Sequence, residues 1–312
     1  MHAGNQALSV RARTAPVATA GATTADPAWD AVWSPPGGRD GAAAAGFSWR
    51  LPGDPSCARS ARTHVRQALG GLRLAQRLID DTELAVSELA ANAWRHAVSA
   101  GPQAGTAGTG PALPELWLYR RGGPLRAELV CGVFDTRRDA WPQPRQNSLR
   151  LLSDGDELAD PLLDEVLDDD PGSGRGLSIV SAVSHATGCH RTRSRLSSPV
   201  VPGKIVWFTM EIPASSPVAQ PPPADFTPAQ AARALSALLA ARGIPGISHH
   251  HDGRAQSVVS MAAGITVRCR DGAFRWPANG TRQRAYFDLT DATEDIIRLH
   301  EDLACAGQRT SS

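Results

Sequence analysis

LAVSELAANAWRHA, residues 84–97, is the stretch on which the reading of this chain turns. Its Ala and Leu content predicts an amphipathic helix, yet Glu88, Asn92 and His96 recur at four-residue spacing. At about 100° per residue these three and Arg95 share one arc of about 100°, while Val86, Leu89, Ala90, Ala93 and Ala97 fill much of the opposite side. A carboxylate, an amide and an imidazole at this spacing are also common on solvated helix faces. The helix alone therefore leaves two readings open, a solvated face or the polar wall of a site.

Working outward, Asp80 with Glu83 three residues on forms a capping-box-like start for this helix. A preceding helix is expected over roughly 56–70, with order beginning at FSWRLPGDP. Residues 1–45, rich in Ala, Gly, Thr and Pro, bury too little apolar surface to order themselves and are expected to be a disordered leader. SAGPQAGTAGTGPALP ends the helix. ELWLYRR and LRAELVCGVFD follow as strands of a hairpin turned by GGP. After an irregular acidic stretch over 143–173, GSGRGL opens a helix, LSIVSAVSHATG, with Leu177, Ile179, Val180 and Val183 on its buried face. Strands around HRTRSRL and GKIVWFTMEI complete the unit. The expected fold class is α+β: a two-layer sandwich in which helices cover one face of a mixed or antiparallel sheet over 46–213.

A proline-rich linker is expected over 214–227 and a small α+β module over 228–305. In that module AQAARALSALLAARGI reads as a helix, QSVVSMAAGITVRC and AFRW as strands joined at CRDGA, RAYFDL as a third strand, and DATEDIIRLHEDL as a closing helix capped by Asp291 with Glu294. No internal repeat relates the two halves.

Composition excludes several classes. The 32 basic and 31 acidic residues give a net charge of +1, so no global field favours nucleic acid or an anionic membrane. Lys204 is the only lysine, a bias that reads as GC-rich codon usage, so arginines carry meaning only by position. The five cysteines are odd in number, scattered and without a C-x-x-C pair, which argues against a disulfide framework or a zinc site. No signal-peptide pattern and no apolar run of membrane-spanning length occurs, so a soluble cytoplasmic protein is expected.

Three separated features point to one kind of site. Glu88 and Asn92 share a helix face, Asp135 ends the strand VCGVFD, and GSGRGL (172–177) places glycines before a helix N-terminus. Such an N-terminus offers unpaired N–H groups and partial positive charge to phosphates. An Asn oxygen is a hard ligand suited to Mg²⁺, and a carboxylate one turn away suits proton abstraction from a hydroxyl. An Asp at a strand end accepts a hydrogen bond from an exocyclic amine.

On these residues the segment Phe47–Ile212 resembles the ATP-binding domain of the anti-sigma-factor serine/threonine kinases, relatives of histidine kinases and DNA gyrase. ELAANAWRHA resembles the N box, VFDTRRDAWP a degenerate G1 box, GSGRGLSIVSAVSHATG the G2 box, and GKIVWFTM the closing strand. The resemblance implies ATP and Mg²⁺ as cofactors. It also implies Glu88 as catalytic base, Asn92 as Mg²⁺ ligand, Asp135 as adenine contact, Gly174, Arg175 and Gly176 around the phosphates, and 143–173 as a lid. Implied partners are a sigma factor or an anti-anti-sigma factor, with no direct nucleic acid, no membrane, and a homodimer as one assembly.

The sequence also departs from the pattern. Relatives with D-x-G-x-G at the G1 box contrast with Asp135-Thr136-Arg137-Arg138-Asp139, which restricts backbone approach to a nucleotide. Ile205 stands where many relatives have a hydroxyl, and nine acidic residues crowd positions 154–170. The resulting expectation is a kinase transferring the ATP γ-phosphate to a partner; the rival is a non-catalytic adaptor with a degenerate site.

Other signals are weaker. Gly203-Lys204 lacks the first P-loop glycine, since position 198 is Ser. His249, His250 and His251 read as a surface loop in preference to a metal site. No G-x-S-x-G elbow supports a hydrolase. Arg268, Arg270 and Arg275 with Phe274 and Trp276 read either as a binding surface or, for the aromatics, as core.

Overall fold

Strand alternation sets the architecture. The computed structural model describes residues 46–99, 113–122, 127–138, 175–216, 226–253, 255–278 and 280–310. The expected leader, the acidic stretch 143–173 and most of the linker lie outside them. The first unit runs β1 (Phe47–Arg50), α1 (Cys57–Gly70), α2 (Gln76–Ser99), β2 (Glu115–Gly122), β3 (Ala127–Asp135), α3 (Arg175–Val183), β4 (Ala186–Arg193) and β5 (Pro202–Ile212). Its sheet has the order β1-β2-β3-β5-β4, antiparallel at every pairing. Leu116 and Leu118, Leu129, Cys131 and Val133, and Phe208, Met210 and Ile212 alternate onto one face and share a core with Leu69, Val86, Leu89 and Ala90 of the helices. Trp117, Phe134 and Ile205 fall on the other face.

Helix boundaries depart from the expected ones for identifiable reasons. α2 starts at Gln76, so Asp80 lies inside it and accepts from Gln76 Nε2 at 2.8 Å. Glu83 is buried and ion-paired to Arg66 of α1, a tertiary partner that displaces the local capping role. α3 stops at Val183, because Ala186 onward pairs with β5 from Thr209, which draws the ATG of LSIVSAVSHATG into β4. Val180 is buried as expected, but Ile179 is 36% exposed.

The second unit comprises α4 (Pro228–Ala241), strands β6 (Ser248–Asp252), β7 (Gln256–Ser260), β8 (Thr266–Arg270), β9 (Ala273–Pro277) and β10 (Thr281–Ala285), a 3-10 turn (Tyr286–Asp288), and α5 (Leu289–Thr310). The sheet is a meander in the order β10-β9-β8-β7-β6. Asp271 and Gly272, both at positive φ, make the tight turn from β8 to β9. Thr227 and Gln230 form a reciprocal capping box with Pro228 at the first turn, a start signal the sequence reading passed over. The three histidines lie on β6, an exposed edge strand and not a loop. RAYFDL is a strand only to Ala285. Asp291 and Glu294 do not cap α5, which begins at Leu289; they pair with arginines instead. Phe274 and Trp276 are core, whereas Arg268, Arg270 and Arg275 line a cavity of about 440 Å³ on the outer face of this sheet.

The face of the first sheet turned away from α1–α3 is covered by the second unit. The guanidinium groups of Arg195 and Arg242 lie 4.2 and 4.8 Å from the ring centroid of buried Trp117, and both ion-pair with Glu294 of α5. Thr192 Oγ1 donates to Glu294 at 3.1 Å, Gly122 N–H donates to Asp288 at 2.9 Å, and Arg121 approaches Asp291 at 3.8 Å. Burial alone raises the Glu294 carboxyl, but Arg242 and Arg195 outweigh it and hold it at about 2. No helix among the described residues is long and apolar enough to cross a membrane.

Candidate nucleotide site

The polar arc of α2 faces α3. Ala85, Val86, Leu89, Ala90 and Ala93 are buried in the core, which turns half-buried Glu88 and Asn92 toward Gly176 in the first turn of α3. A Cβ at position 176 would lie 2.7 Å from Glu88 Oε2 and 3.4 Å from Asn92 Nδ2. Any side chain there would displace the carboxylate from the helix start. Because Glu88 Oε2 ends a flexible side chain, the cost would fall on the geometry of the site and little on the fold. Neither Glu88 nor Asn92 has a hydrogen-bond or ion-pair partner among the described residues. Gly174 and the Arg175 side chain lie outside the described residues, as does the His96 side chain; Arg175 itself is the first residue of α3.

Asp135 ends β3 on the same, helix-covered face of the sheet, in step with Leu129, Cys131 and Val133. Its Oδ1 accepts from Lys204 Nζ at 2.7 Å and from the Arg137 N–H at 2.8 Å, while Lys204 Nζ also donates to the Arg137 carbonyl at 2.9 Å. Lys204, directly opposite Asp135 in the β3–β5 register, is only 1% exposed. Gly203 makes this possible: a Cβ there would come within 2.3 Å of the Asp135 carbonyl oxygen and 2.5 Å of the Phe134 ring.

One expectation about the G1 region changes. Ile205 packs with Trp117 and Phe134 on the far face, away from Asp135; alternation puts Lys204 beside Asp135 instead. The described residues of this loop adopt no strained backbone in the absence of glycines. Among the described residues only Arg73 and Asp271 are non-glycines at positive φ, so Thr136, Arg137 and Arg138 form their loop without glycine's freedom. Lys204 and Gly203 are the residues sequence reasoning missed. Their signal was the chain's sole lysine, set in phase with Val206, Phe208 and Met210.

The donor set fits the implied cofactors. Asn92 offers a hard oxygen, Glu88 a carboxylate without a partner among the described residues and α3 an N-terminus, around a space that a Cβ at 176 would fill. No group of three metal-ligating side chains occurs among the described residues, so Mg²⁺ held here would take other ligands from phosphate and water. A family model described as a histidine kinase-like ATPase domain matches residues 51–209, which span α1 to β5. No curated protein matches the chain.

Proposed function

Since this chain belongs to the histidine kinase-like ATPase domain family, we propose that it is a regulatory serine/threonine kinase of the anti-sigma-factor type, binding ATP with Mg²⁺ between α2, the end of β3 and the start of α3. A domain of this class supports ATP binding. The observation that carries it is the convergence of Glu88 and Asn92 on Gly176. When bound, ATP supplies the phosphoryl group and Mg²⁺ neutralises its charge. Asn92 gives the metal an oxygen ligand, and Asp135 keeps Oδ2 for the exocyclic amine of the base while Oδ1 holds Lys204. Glu88 accepts the proton of a Ser or Thr hydroxyl on an anti-anti-sigma partner. Sequestration of a sigma factor is the complementary role for the same domain.

Glu88→Ala is expected to abolish phosphotransfer to a partner protein while leaving ATP affinity within a few-fold; transfer at the wild-type rate would overturn the assignment. The adaptor reading is favoured by one observation, the engagement of Asp135 Oδ1 by both Lys204 and Arg137. Calorimetric titration separates the two readings. Mg²⁺-dependent ATP binding lost in Asn92→Ala supports the nucleotide site, and no binding at millimolar ATP supports the adaptor.

A further inference from the structure

The described start of the loop that follows Asp135, residues 136–138, is held by two different parts of the molecule. At its start, Asp135 and Lys204 bind the N–H and the carbonyl of Arg137. One residue later, Arg138 Nη2 donates to Glu301 Oε2 at 2.7 Å and to Cys305 Sγ at 3.1 Å, both on α5. Glu301 is 1% exposed, and its other oxygen accepts from Arg193 Nε at 2.6 Å at the end of β4. Arg193 in turn donates to the Gly243 carbonyl just beyond α4. Two residues therefore separate Asp135 from a buried carboxylate that belongs to the second unit.

We propose that α5 is a built-in control element of the nucleotide site, with Glu301 as the positioning residue that sets the loop after Asp135 through Arg138. The proposal rests on the assignment of Asp135 to the nucleotide base. In this loop a side chain clamped from the second unit, Arg138, fixes the backbone beside Asp135. A buried carboxylate between two guanidinium groups does not tolerate half-measures, because losing one partner leaves an uncompensated buried charge. The clamp is thus suited to two discrete arrangements, engaged or released. It is also incompletely satisfied, since Arg138 Nε is buried without a hydrogen-bond partner among the described residues, which lowers the cost of release. By linkage, a partner that draws α5 away weakens ATP binding, and ATP strengthens the hold of α5 by the same factor.

The test titrates ATP with Mg²⁺ into the full chain, comparing wild type with Glu301→Gln, Arg138→Met and the double variant. Leu303→Ala, at an exposed position on α5, serves as control. ATP affinity is expected to fall roughly 5–150-fold in each single variant, the range typical of coupled sites. It should fall no further in the double variant and stay unchanged in the control. Hydrogen exchange supplies a readout that a merely structural role would not move: ATP should slow exchange of the α5 segment 299–306 in wild type but not in Arg138→Met. Arg138→Met also keeps the test open if Glu301→Gln fails to fold. Wild type that binds ATP with affinity unchanged in both single variants, or additive losses in the double variant, would overturn the control role alone. No ATP binding by wild type would overturn the nucleotide-site reading and this proposal with it.

Discussion

The two faces of the first sheet are packed by opposite chemistries. Toward α1–α3 the contact is aliphatic and aromatic, with Leu89, Leu129, Val133 and Phe208 interlocked. Toward the second unit it is ionic, with Arg195, Arg242, Glu294 and Glu301 around Trp117 and β4. Apolar packing gains free energy in proportion to area and tolerates small shifts. A buried ionic interface gains little net stability over an apolar one, yet it is lost steeply when one partner goes. The first face makes the fold; the second makes one docked arrangement of the C-terminal unit distinct from all others.

Mutations that break this contrast should show the largest effects. Glu294→Ala leaves Arg195 and Arg242 buried without their counter-charge and is expected to cost about 3–5 kcal/mol. Phe208→Ala on the aliphatic face should cost a similar ~3–5 kcal/mol through cavity formation. Denaturant titration tells them apart. The Glu294 variant should resolve an early transition of the second unit, and the Phe208 variant should lower the main one; a single shared transition in both would erase the distinction between the faces.

A smaller effect sharpens the contrast through pH. His190, on the ionic face beside Trp207, is held at about 4, first by burial and against the pull of Glu294. The unfolded chain binds that proton near pH 6.5, so stability falls as pH drops from about 6.5 toward 4, by about 2 kcal/mol at pH 5. Asp288, raised to about 6 by burial and by Asp291, works in the other direction over about 3.8–6, because there the folded state holds the extra proton. Comparing wild type with His190→Asn isolates the histidine: the loss of melting temperature between pH 7 and 5 should shrink in the variant, and an equal loss would remove His190 from the account. Smallest of all, Thr227→Ala should cost about 1 kcal/mol by thermal melting, through the cap of α4 alone.

What could be read from the sequence was whatever depends on local period. The two faces of LAVSELAANAWRHA, the β2–β3 pairing and the start of α3 at Arg175-Gly176 are all set by residues within a turn or two of each other. What could not be read depends on register and on distance along the chain. Placing Lys204 opposite Asp135 and Ile205 behind it requires the β3–β5 pairing, and the Glu294 cluster gathers arginines 52 and 99 residues away. Asp80 and Glu83 show the same limit from the other side, for a plausible local cap gave way to Arg66 on a neighbouring helix.

The lone lysine has a practical consequence. Its ε-amino group is the chain's only side-chain amine, and in the folded protein it is sealed between Asp135 and the Arg137 carbonyl. An amine-reactive acylating reagent therefore has one internal target, at the edge of the proposed nucleotide site, and reaches it only when β3 and β5 part there. The rate of modification at position 204, read by mass spectrometry, is a single-residue clock for the opening of this corner of the sheet.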